Sequence, residues 1–573
     1  MKGWSGARSV VLLTASTLLC LLPFSNKAFH IDDPLFLWSA QQITRHPLNP
    51  YGFQLNWYGA LMPVSDVTKN PPLACYYAAA IGAMAGWSER ALHLGFLLPA
   101  VATVLGTYRL AQHFTQSPLV AAAATLLTPG VLVSACSVMC DTMMLAFWIW
   151  GITFWLEGLK VGKQPYLLAS SLLMAAAALT KYFGICLVPL LFAYSVAERR
   201  RIGAWAWYFA VPVSLLAAYQ AWTVALYGHG MFWDALTYGS RYGSEGVSGL
   251  RRMVAAANFL GGCTFSALTL APLVWLRRYI LAAILMEVLS MTACWAMWDQ
   301  SWGTMHAGTA ILQHWRAIAP QSALFIACAV SVLALALMDI WKHRTADSLL
   351  LALWVFGTFF FTAFLNWTIN GRSVLPLIPA AGILLARRLD ALGIAFLKPL
   401  QWKVTIALLV SGAVSFWVAQ ADADLANSTK KMTNVIWDRT SSEAGTVWFE
   451  GHWGFQYYMQ QRGFPQFDLP SATLRPGDLL VVRDGDANTI SPPSKFVGSD
   501  ERLETRLHQP IATMYPEMEA GFYASHYGML PFVFGAVPKE GFQLFRMAAM
   551  LKADCQSNSG TPNSNRRCVW TSN

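Results

Sequence analysis

Long runs of apolar residues, separated by short clusters of Lys and Arg, fill residues 1–420 of this 573-residue chain. Such runs are expected where each segment must cross the ~30 Å hydrocarbon core of a bilayer as a helix. Hydrophobic residues make up 55% of the chain and charged residues 12%, against roughly 25% charged residues in ordinary globular proteins. The sequence excludes a soluble multi-domain protein and predicts an all-α polytopic membrane protein.

The hydropathy pattern predicts about thirteen transmembrane helices. The first apolar run, Val10 to Phe24, is interpreted as an uncleaved helix, with a signal peptide as the alternative. The other twelve spans are expected near residues 91–108, 118–135, 139–157, 164–180, 183–197, 205–226, 253–276, 279–297, 319–340, 347–365, 373–386 and 403–420.

The basic clusters predict the orientation. With the N-terminus in the cytoplasm, the clusters at Arg109, Lys160/Lys163, Arg199–Arg201, Arg277/Arg278, Lys342/Arg344 and Arg387/Arg388 all fall on the cytoplasmic side. This placement of all the clusters on one side requires that the short apolar stretch from Pro71 to Trp87 does not cross the membrane. Residues 25–90 are therefore expected to form an outer loop on the membrane surface, with aromatic rings at headgroup level. These are Trp57, Tyr58, Tyr76, Tyr77 and Trp87.

The composition changes after Gln420, where Asp, Ser, Asn, Gly and Pro become frequent. Residues 1–420 are therefore interpreted as the membrane domain and residues 421–573 as a soluble α/β domain outside the cytoplasm. Its expected strands lie at Thr446–Phe449, Leu479–Val482 and Phe542–Phe545, around a helix at Phe455–Gln461. Cys555 and Cys568 are the two cysteines of this domain, and they could form a disulfide in an oxidising compartment.

Familiar signatures of soluble enzymes are absent from the sequence. It has no phosphate-binding Gly loop, no H-E-x-x-H, no G-x-S-x-G and no CxxC pair. The net charge of +10 is interpreted as topology information, because no segment interleaves Lys and Arg with aromatic residues as a nucleic-acid surface would. His229, His452 and His526 are not spaced as metal ligands.

Ionisable residues near the predicted outer membrane surface are the candidate site, because charges there are costly. Asp32 and Asp33 follow the first helix, and Asp141 opens an apolar span. Each acid could instead cap a helix. The cations on this side are Lys69, Lys181, Arg241, Arg251, Arg252, Arg316 and Arg372. Each could merely extend to the interface, but several cations beside carboxylates suit a phosphate group.

The order of these residues resembles the GT-C superfamily of membrane glycosyltransferases, and within it the family of dolichyl-phosphate-mannose protein mannosyltransferases and lipid A aminoarabinose transferases. Asp32-Asp33-Pro-Leu-Phe is similar to the family's Asp-Glu motif, although the second acid is Asp33. Asn70-Pro-Pro-Leu, with Tyr76 following, is similar to its His/Lys-Pro-Pro-Leu motif, and here Lys69 comes one residue before Asn70. Asp141, Leu179-Thr180-Lys181 and Arg372 to Pro376 complete the resemblance.

This resemblance implies transfer of a sugar from a polyprenyl-phosphate donor to a protein, lipid or glycan acceptor. It implies Asp32 as general base, with Asp33 and Asp141 orienting the acceptor or the base. Lys181, Arg372 and Lys69 would bind the donor phosphate, and a divalent cation such as Mg²⁺ or Mn²⁺ could share that role. Asn70, Trp57, Tyr58 and Tyr76 are candidates for acceptor and sugar contacts, although aromatic rings also anchor at interfaces.

Two other functions remain open at this stage. A transporter or flippase of a lipid-linked substrate would also explain apolar helices with intramembrane charges, and a receptor would use the tail to sense a ligand. Two aromatic–His–Gly runs, at 450–455 and 523–528, could bind an acceptor or simply pack in the tail domain.

Overall fold

A computed structural model of the protein describes residues 2–242, 249–278, 311–393, 398–486, 489, 491–556 and 567–571. The chain divides into two compact units. The first, here called the membrane unit, contains Met1–Asn26, Lys69–Asp422 and Ile511–Gly535. The second, the mixed unit, contains Lys27–Thr68, Ala423–Pro510 and Ala536–Asn573.

Eight helices within the described ranges are long and apolar enough to cross a membrane, so the protein is a multi-pass membrane protein. They are Gly6–Phe24, Glu89–Ala111, Asp141–Val161, Tyr182–Arg199, Ala204–Tyr227, Ile318–His343, Ala346–Leu365 and Gln401–Thr440. Two further apolar pairs are bent, Pro118–Leu126 with Pro129–Ala135 by 62° and Gly249–Cys263 with Phe265–Val274 by 77°, which raises the number to ten if each pair is one span.

The predicted count of thirteen spans is not confirmed, although these helices lie at predicted positions. The span expected at 279–297 falls outside the described residues. Shorter helices of the membrane unit are Leu73–Ala85, Gln164–Thr180, Met231–Tyr242, Gly371–Val374 and Ile378–Ala391. Leu73–Ala85 has 13 residues, or about 20 Å of helix, less than the hydrocarbon thickness.

The segment Ile511–Gly535 belongs to the membrane unit although it lies in the soluble tail by sequence. The Gln321 side chain donates to the carbonyl of Phe534 at 2.9 Å and accepts from the amide of Phe534 at 2.7 Å. The ring of Phe532 packs on Phe325 with centroids 5.0 Å apart. This arrangement differs from the expected boundary at residue 420, because apolar rings of the tail are buried on membrane helices.

A mixed four-stranded sheet is the centre of the mixed unit. Its strand order is Val447–Glu450, Leu479–Arg483, Glu540–Met547 and Val497–Thr505, with the first pair parallel and the others antiparallel. All five residues of Leu479–Arg483 are buried, since both faces of the strand carry apolar side chains. The expected strands and the helix, observed at Trp453–Gln461, are confirmed, and so is the α/β character of the domain.

Smaller elements complete the described fold. The mixed unit also holds the helices Asp33–Arg45 and Val64–Val67, the hairpin of Gln54–Asn56 with Leu61–Pro63, and the strands Thr473–Leu474, Leu551–Gln556 and Arg567–Thr571. In the segment Ile511–Gly535, Ile511–Ala512 pairs with Val533–Phe534, and Met514–Tyr515 pairs with Ala520–Gly521. The helix Lys398–Thr440 contributes residues to both units.

The loop Lys27–Thr68 is part of the mixed unit. The Gln456 side chain donates to the backbone carbonyl of Asn56 at 2.9 Å, and the Asn56 side chain donates through Nδ2 to the carbonyl of Phe467 at 3.1 Å. The amide of Phe29 donates to the Tyr458 hydroxyl at 2.8 Å. These hydrogen bonds satisfy backbone groups that a loop lying free on a surface would leave to water. Residues 25–90 were expected to form one surface loop, whereas Lys27–Thr68 is part of the mixed unit.

Candidate functional site

Asp141 is the first residue of the helix Asp141–Val161, and its side chain is only 2% exposed. The positive end of a helix favours a carboxylate in this position. The residue before it, Cys140, occupies the N-cap position and makes no side-chain cap bond. The capping interpretation of Asp141 is therefore wrong, because its carboxylate instead faces two cations.

Lys181 provides the first of these cations. Its Nζ lies 2.5 Å from Asp141 Oδ1. The helix Gln164–Thr180 ends at the preceding residue, and Lys181 has extended backbone angles (φ −150°, ψ 131°) before a short 3₁₀ turn. Gly184 permits that turn, because a Cβ at this position would lie 2.2 Å from the backbone carbon of Ala177.

Arg372 provides the second cation. Its Nη1 lies 3.9 Å from Asp141 Oδ2 and 2.8 Å from the sulfur of Met139, and its side chain is 13% exposed. The four-residue helix Gly371–Val374 that holds Arg372 begins with a capping box, in which Asn370 and Ser373 bond reciprocally. Three separate parts of the chain thus bring one carboxylate and two cations together, and we call Asp141, Lys181 and Arg372 the charged cluster.

The charged cluster can bind an anion chemically. Its formal charge is +1, since one carboxylate faces two cations, and Lys and Arg are the side chains that bind phosphate. Asp141 Oδ2 makes no hydrogen bond within the described ranges, so this oxygen can accept one from a hydroxyl group.

Lys69 is the third predicted phosphate-binding cation. Its Nζ stands over the ring of Tyr238, 5.3 Å from the centroid. Asn70 and Tyr76 are both half-buried. Asn70 precedes the helix Leu73–Ala85, and Tyr76 lies within it. The structure therefore joins two of the three predicted phosphate-binding cations through Asp141 and places the third against an aromatic ring.

Asp32 and Asp33 belong to the mixed unit, at the start of the helix Asp33–Arg45. Asp32 is the N-cap residue but makes no side-chain cap hydrogen bond, and it is half-buried. Asp33 is fully buried, and its carboxylate accepts from the amide of His30 at 2.9 Å. Ile31, directly before them, has φ +48°, a conformation that is strained for a β-branched residue.

Trp57 and Tyr58 also lie in the mixed unit, where Trp57 is buried and Tyr58 half-buried. The ring of Trp57 meets the ring of His452 edge-to-face at 5.9 Å. The Trp57 ring therefore contributes to a protein core, and its expected position at headgroup level stays a prediction.

His452 follows the strand Val447–Glu450 and is buried with Asp486 beside it, the Nδ1–Oδ1 distance being 3.8 Å. Burial lowers the pKa of His452 below its ordinary value, and the Asp486 carboxylate partly opposes this change. Neither ring nitrogen hydrogen-bonds to any described residue. The run at 450–455 is thus mostly buried, which agrees with the alternative that it packs within the tail domain.

The other predicted cations have different surroundings. Arg252 donates to the carbonyl of Ala363 at 2.7 Å and to the carbonyl of Asn366 at 2.5 Å, so it stabilises the end of a helix. Arg251 is half-buried, and the side chains of Arg241 and Arg316 lie outside the described part of the chain.

A metal site was left open by the sequence. Within the described ranges no three His, Cys, Asp or Glu side chains group as metal ligands. The donor set of the charged cluster does not fit a divalent cation, because its one carboxylate already faces Lys181 and Arg372.

Sequence reasoning did not identify Met139 and Tyr523. The Tyr523 ring faces the Arg372 guanidinium, with 5.5 Å between Cζ and the ring centroid. The signal for Tyr523 was the aromatic–His–Gly run at 523–528, which carried no indication of a membrane partner.

Residues 69–222, which include Asp141 and Lys181, match the family model of the dolichyl-phosphate-mannose-protein mannosyltransferases. The resemblance to these glycosyltransferases is confirmed. Arg372 and the Asp32-Asp33 motif lie outside the matched residues. No protein of curated function matches the sequence.

Several solved structures are similar to this chain. ArnT from Cupriavidus metallidurans bound to undecaprenyl phosphate has a TM-score of 0.44 and 13% identity over 84% of this chain and 94% of that one. The Archaeoglobus fulgidus oligosaccharyltransferase, in complex with Zn and sulfate, has a TM-score of 0.45 and 12% identity over 83% of this chain and 68% of that one. The arabinofuranosyltransferase AftD from Mycobacteria has a TM-score of 0.39 and 14% identity over 84% of this chain and 35% of that one.

Proposed function

We propose that the protein transfers a sugar from a polyprenyl-phosphate donor, of the undecaprenyl-phosphate type, to a protein, lipid or glycan acceptor. The reaction takes place on the outer face of a bacterial inner membrane, with the N-terminus in the cytoplasm and the tail domain in the periplasm. The observation that carries the proposal is the charged cluster, which unites Asp141, Lys181 and Arg372 within a chain that crosses the membrane.

The charge of the cluster suits this donor. A sugar linked to a polyprenol through one phosphate is a phosphodiester with a charge of −1, which the formal charge of +1 balances. When the sugar leaves, the phosphate becomes a monoester with a charge of about −1.5 to −2 at neutral pH. Lys181 and Arg372 therefore stabilise charge that grows as the bond breaks, which is where electrostatic catalysis is most effective.

The reaction forms a bond between the acceptor oxygen and the anomeric carbon, and it breaks the bond from that carbon to the phosphate oxygen. Asp32 takes the proton of the acceptor hydroxyl as general base, and attack opposite the phosphate inverts the anomeric carbon. Its half-buried carboxylate suits this role better than the buried Asp33, which fixes the turn before the helix by accepting from His30. Asp141 positions the two cations, and Lys69 is a further candidate for the phosphate.

Incubation of the purified full-length protein with undecaprenyl-phosphate sugars and a membrane extract, followed by mass spectrometry of the lipids, tests the proposal. Wild type is expected to release undecaprenyl phosphate, whereas Asp32→Asn and Arg372→Ala are not. Arg252→Ala is the matched control, because Arg252 binds carbonyl groups of the protein, and its folded fraction is expected to keep the wild-type KM for donor. Intact donor with folded wild type and varied acceptors would overturn the proposal.

The two bent helix pairs are the observation that favours a transporter, since broken helices are typical of transporters. The two functions differ in what happens to the donor. A transporter would move the labelled donor across vesicle membranes with its sugar–phosphate bond intact, and Asp32→Asn would leave that movement unchanged.

A further inference from the structure

The segment Ile511–Gly535 holds the turn that carries Arg372. The amide of Gly371 donates to the carbonyl of Phe522 at 2.7 Å, and the amide of Ser525 donates to the carbonyl of Ile369 at 2.8 Å. A Cβ at Gly371 would lie 2.6 Å from the Phe522 ring, so the close approach depends on this glycine. Two backbone hydrogen bonds directly before Arg372, at Ile369 and Gly371, thus fix this turn to the segment.

Tyr523 extends this contact to the Arg372 side chain. The guanidinium lies over the ring face at 5.5 Å, and the Tyr523 side chain is buried. A cation is attracted to the face of an aromatic ring, and this contact uses none of the guanidinium N–H donors. A tyrosine therefore positions an arginine without neutralising its charge, which a second carboxylate would do.

Asp422 accepts a hydrogen bond from Tyr523. The Tyr523 hydroxyl donates to Asp422 Oδ2 at 2.8 Å, and the Thr513 hydroxyl donates to Asp422 Oδ1 at 3.1 Å. Asp422 is fully buried, and it is the last residue of the range Lys69–Asp422 in the membrane unit. A phenol that donates to a carboxylate is polarised, and hydrogen bonds in such a chain strengthen one another.

We propose that Tyr523 and Asp422 are positioning residues for Arg372, and that they set the affinity of the protein for a polyprenyl-phosphate group. The inference rests on the proposed function. Arg372 contacts both the Asp141 carboxylate and the Tyr523 ring, so its guanidinium is already ordered before a phosphate binds. Ordering a long side chain in advance removes an entropic cost from binding.

Binding of undecaprenyl phosphate to the full-length protein in nanodiscs tests the inference. Tyr523→Leu is expected to weaken binding about 5- to 30-fold, the loss of a partly desolvated cation–π contact. Tyr523→Phe, which keeps the ring and loses the bond to Asp422, is expected to lie between wild type and Tyr523→Leu. Tyr527→Leu is the matched control, since Tyr527 is a buried tyrosine of the same segment, and it is expected to bind as wild type does.

A double-mutant cycle separates positioning from general packing. In an Arg372→Ala background, Tyr523→Leu is expected to cause no further loss of binding, because Tyr523 acts through Arg372. An equal loss in both backgrounds, or wild-type binding by Tyr523→Leu, would overturn the inference while leaving the proposed function intact.

The stability of the same four variants provides a readout that needs no ligand. Coupling between Tyr523→Leu and Arg372→Ala in the free energy of unfolding is expected, and additive effects would overturn the contact itself. If wild type binds no undecaprenyl phosphate although the two residues are coupled, the proposed function fails and the role of Tyr523 in phosphate affinity fails with it.

Discussion

Replacing Asp141 by Asn should destabilise the membrane unit strongly, because it leaves two partly buried cations, Lys181 and Arg372, without the carboxylate that each of them contacts. At an effective dielectric constant of ~20, a charge pair at the 2.5 Å distance of Lys181 contributes about 7 kcal/mol of attraction, and a pair at the 3.9 Å distance of Arg372 about 4 kcal/mol. Desolvation of all three groups offsets much of this energy. Removing one partner of a buried pair costs about 3–5 kcal/mol, and we expect about 3 kcal/mol because the Lys181 side chain is 25% exposed.

The assay is unfolding of the purified full-length protein by SDS, followed by circular dichroism. Asn has nearly the shape of Asp, so a cavity does not contribute to the loss. Asp141→Asn combined with Lys181→Met should recover part of the stability, because one uncompensated charge is removed. Asp234→Asn is the matched control, since Asp234 also lies in a first helical turn but is 38% exposed, and it should cost less than about 1 kcal/mol. Equal stabilities of Asp141→Asn and wild type would refute the reasoning.

Three further predictions concern the mixed unit. Asp32→Asn should abolish turnover while changing the free energy of unfolding by less than about 1 kcal/mol, because Asp32 makes no cap bond; a larger loss in calorimetry would make it a structural residue. Burial lowers the pKa of His452, so the unfolded state binds its proton first, and stability should be complete above about pH 6.5 and decrease as the pH falls below that value. His452→Gln should flatten this dependence, and a variant that loses as much stability as wild type between pH 7.5 and 5 would contradict that origin. Cys555 and Cys568 are register partners on adjacent strands, so mass spectrometry of unreduced peptides should find them linked if the domain folds in an oxidising compartment, whereas two free thiols there would refute the pairing.

The hydropathy pattern was sufficient for many of the helices and for the three predicted strands, because both depend on apolar periodicity along the chain. The helix Glu89–Ala111 and the strand Leu479–Arg483 both lie where they were expected. The break between Leu126 and Pro129 was not expected, because an apolar run looks continuous although Pro129 begins a new helix.

Contacts between distant segments were harder to predict. The spacing of Asp141, Lys181 and Arg372 does not reveal that they meet, and only the resemblance to a family grouped them. Lys69 was grouped with the same cations, yet its contact is the ring of Tyr238. The docking of Phe532 and Phe534 on membrane helices was missed, because short strands with apolar residues also occur in soluble domains.

The return of Ile511–Gly535 to the membrane unit has a consequence for the order of synthesis. Tyr523 is made 523 − 372 = 151 residues after Arg372, which is about 8–30 s at a rate of ~5–20 residues per second. During this interval the apolar helices can already insert, but the turn at Arg372 still lacks the strand pair and the ring that fix it. A ribosome that stalls in the tail therefore leaves a nascent chain anchored in the bilayer whose Arg372 is not yet held. Completion of the chain, and not insertion of its last helix, is the step that finishes this part of the molecule.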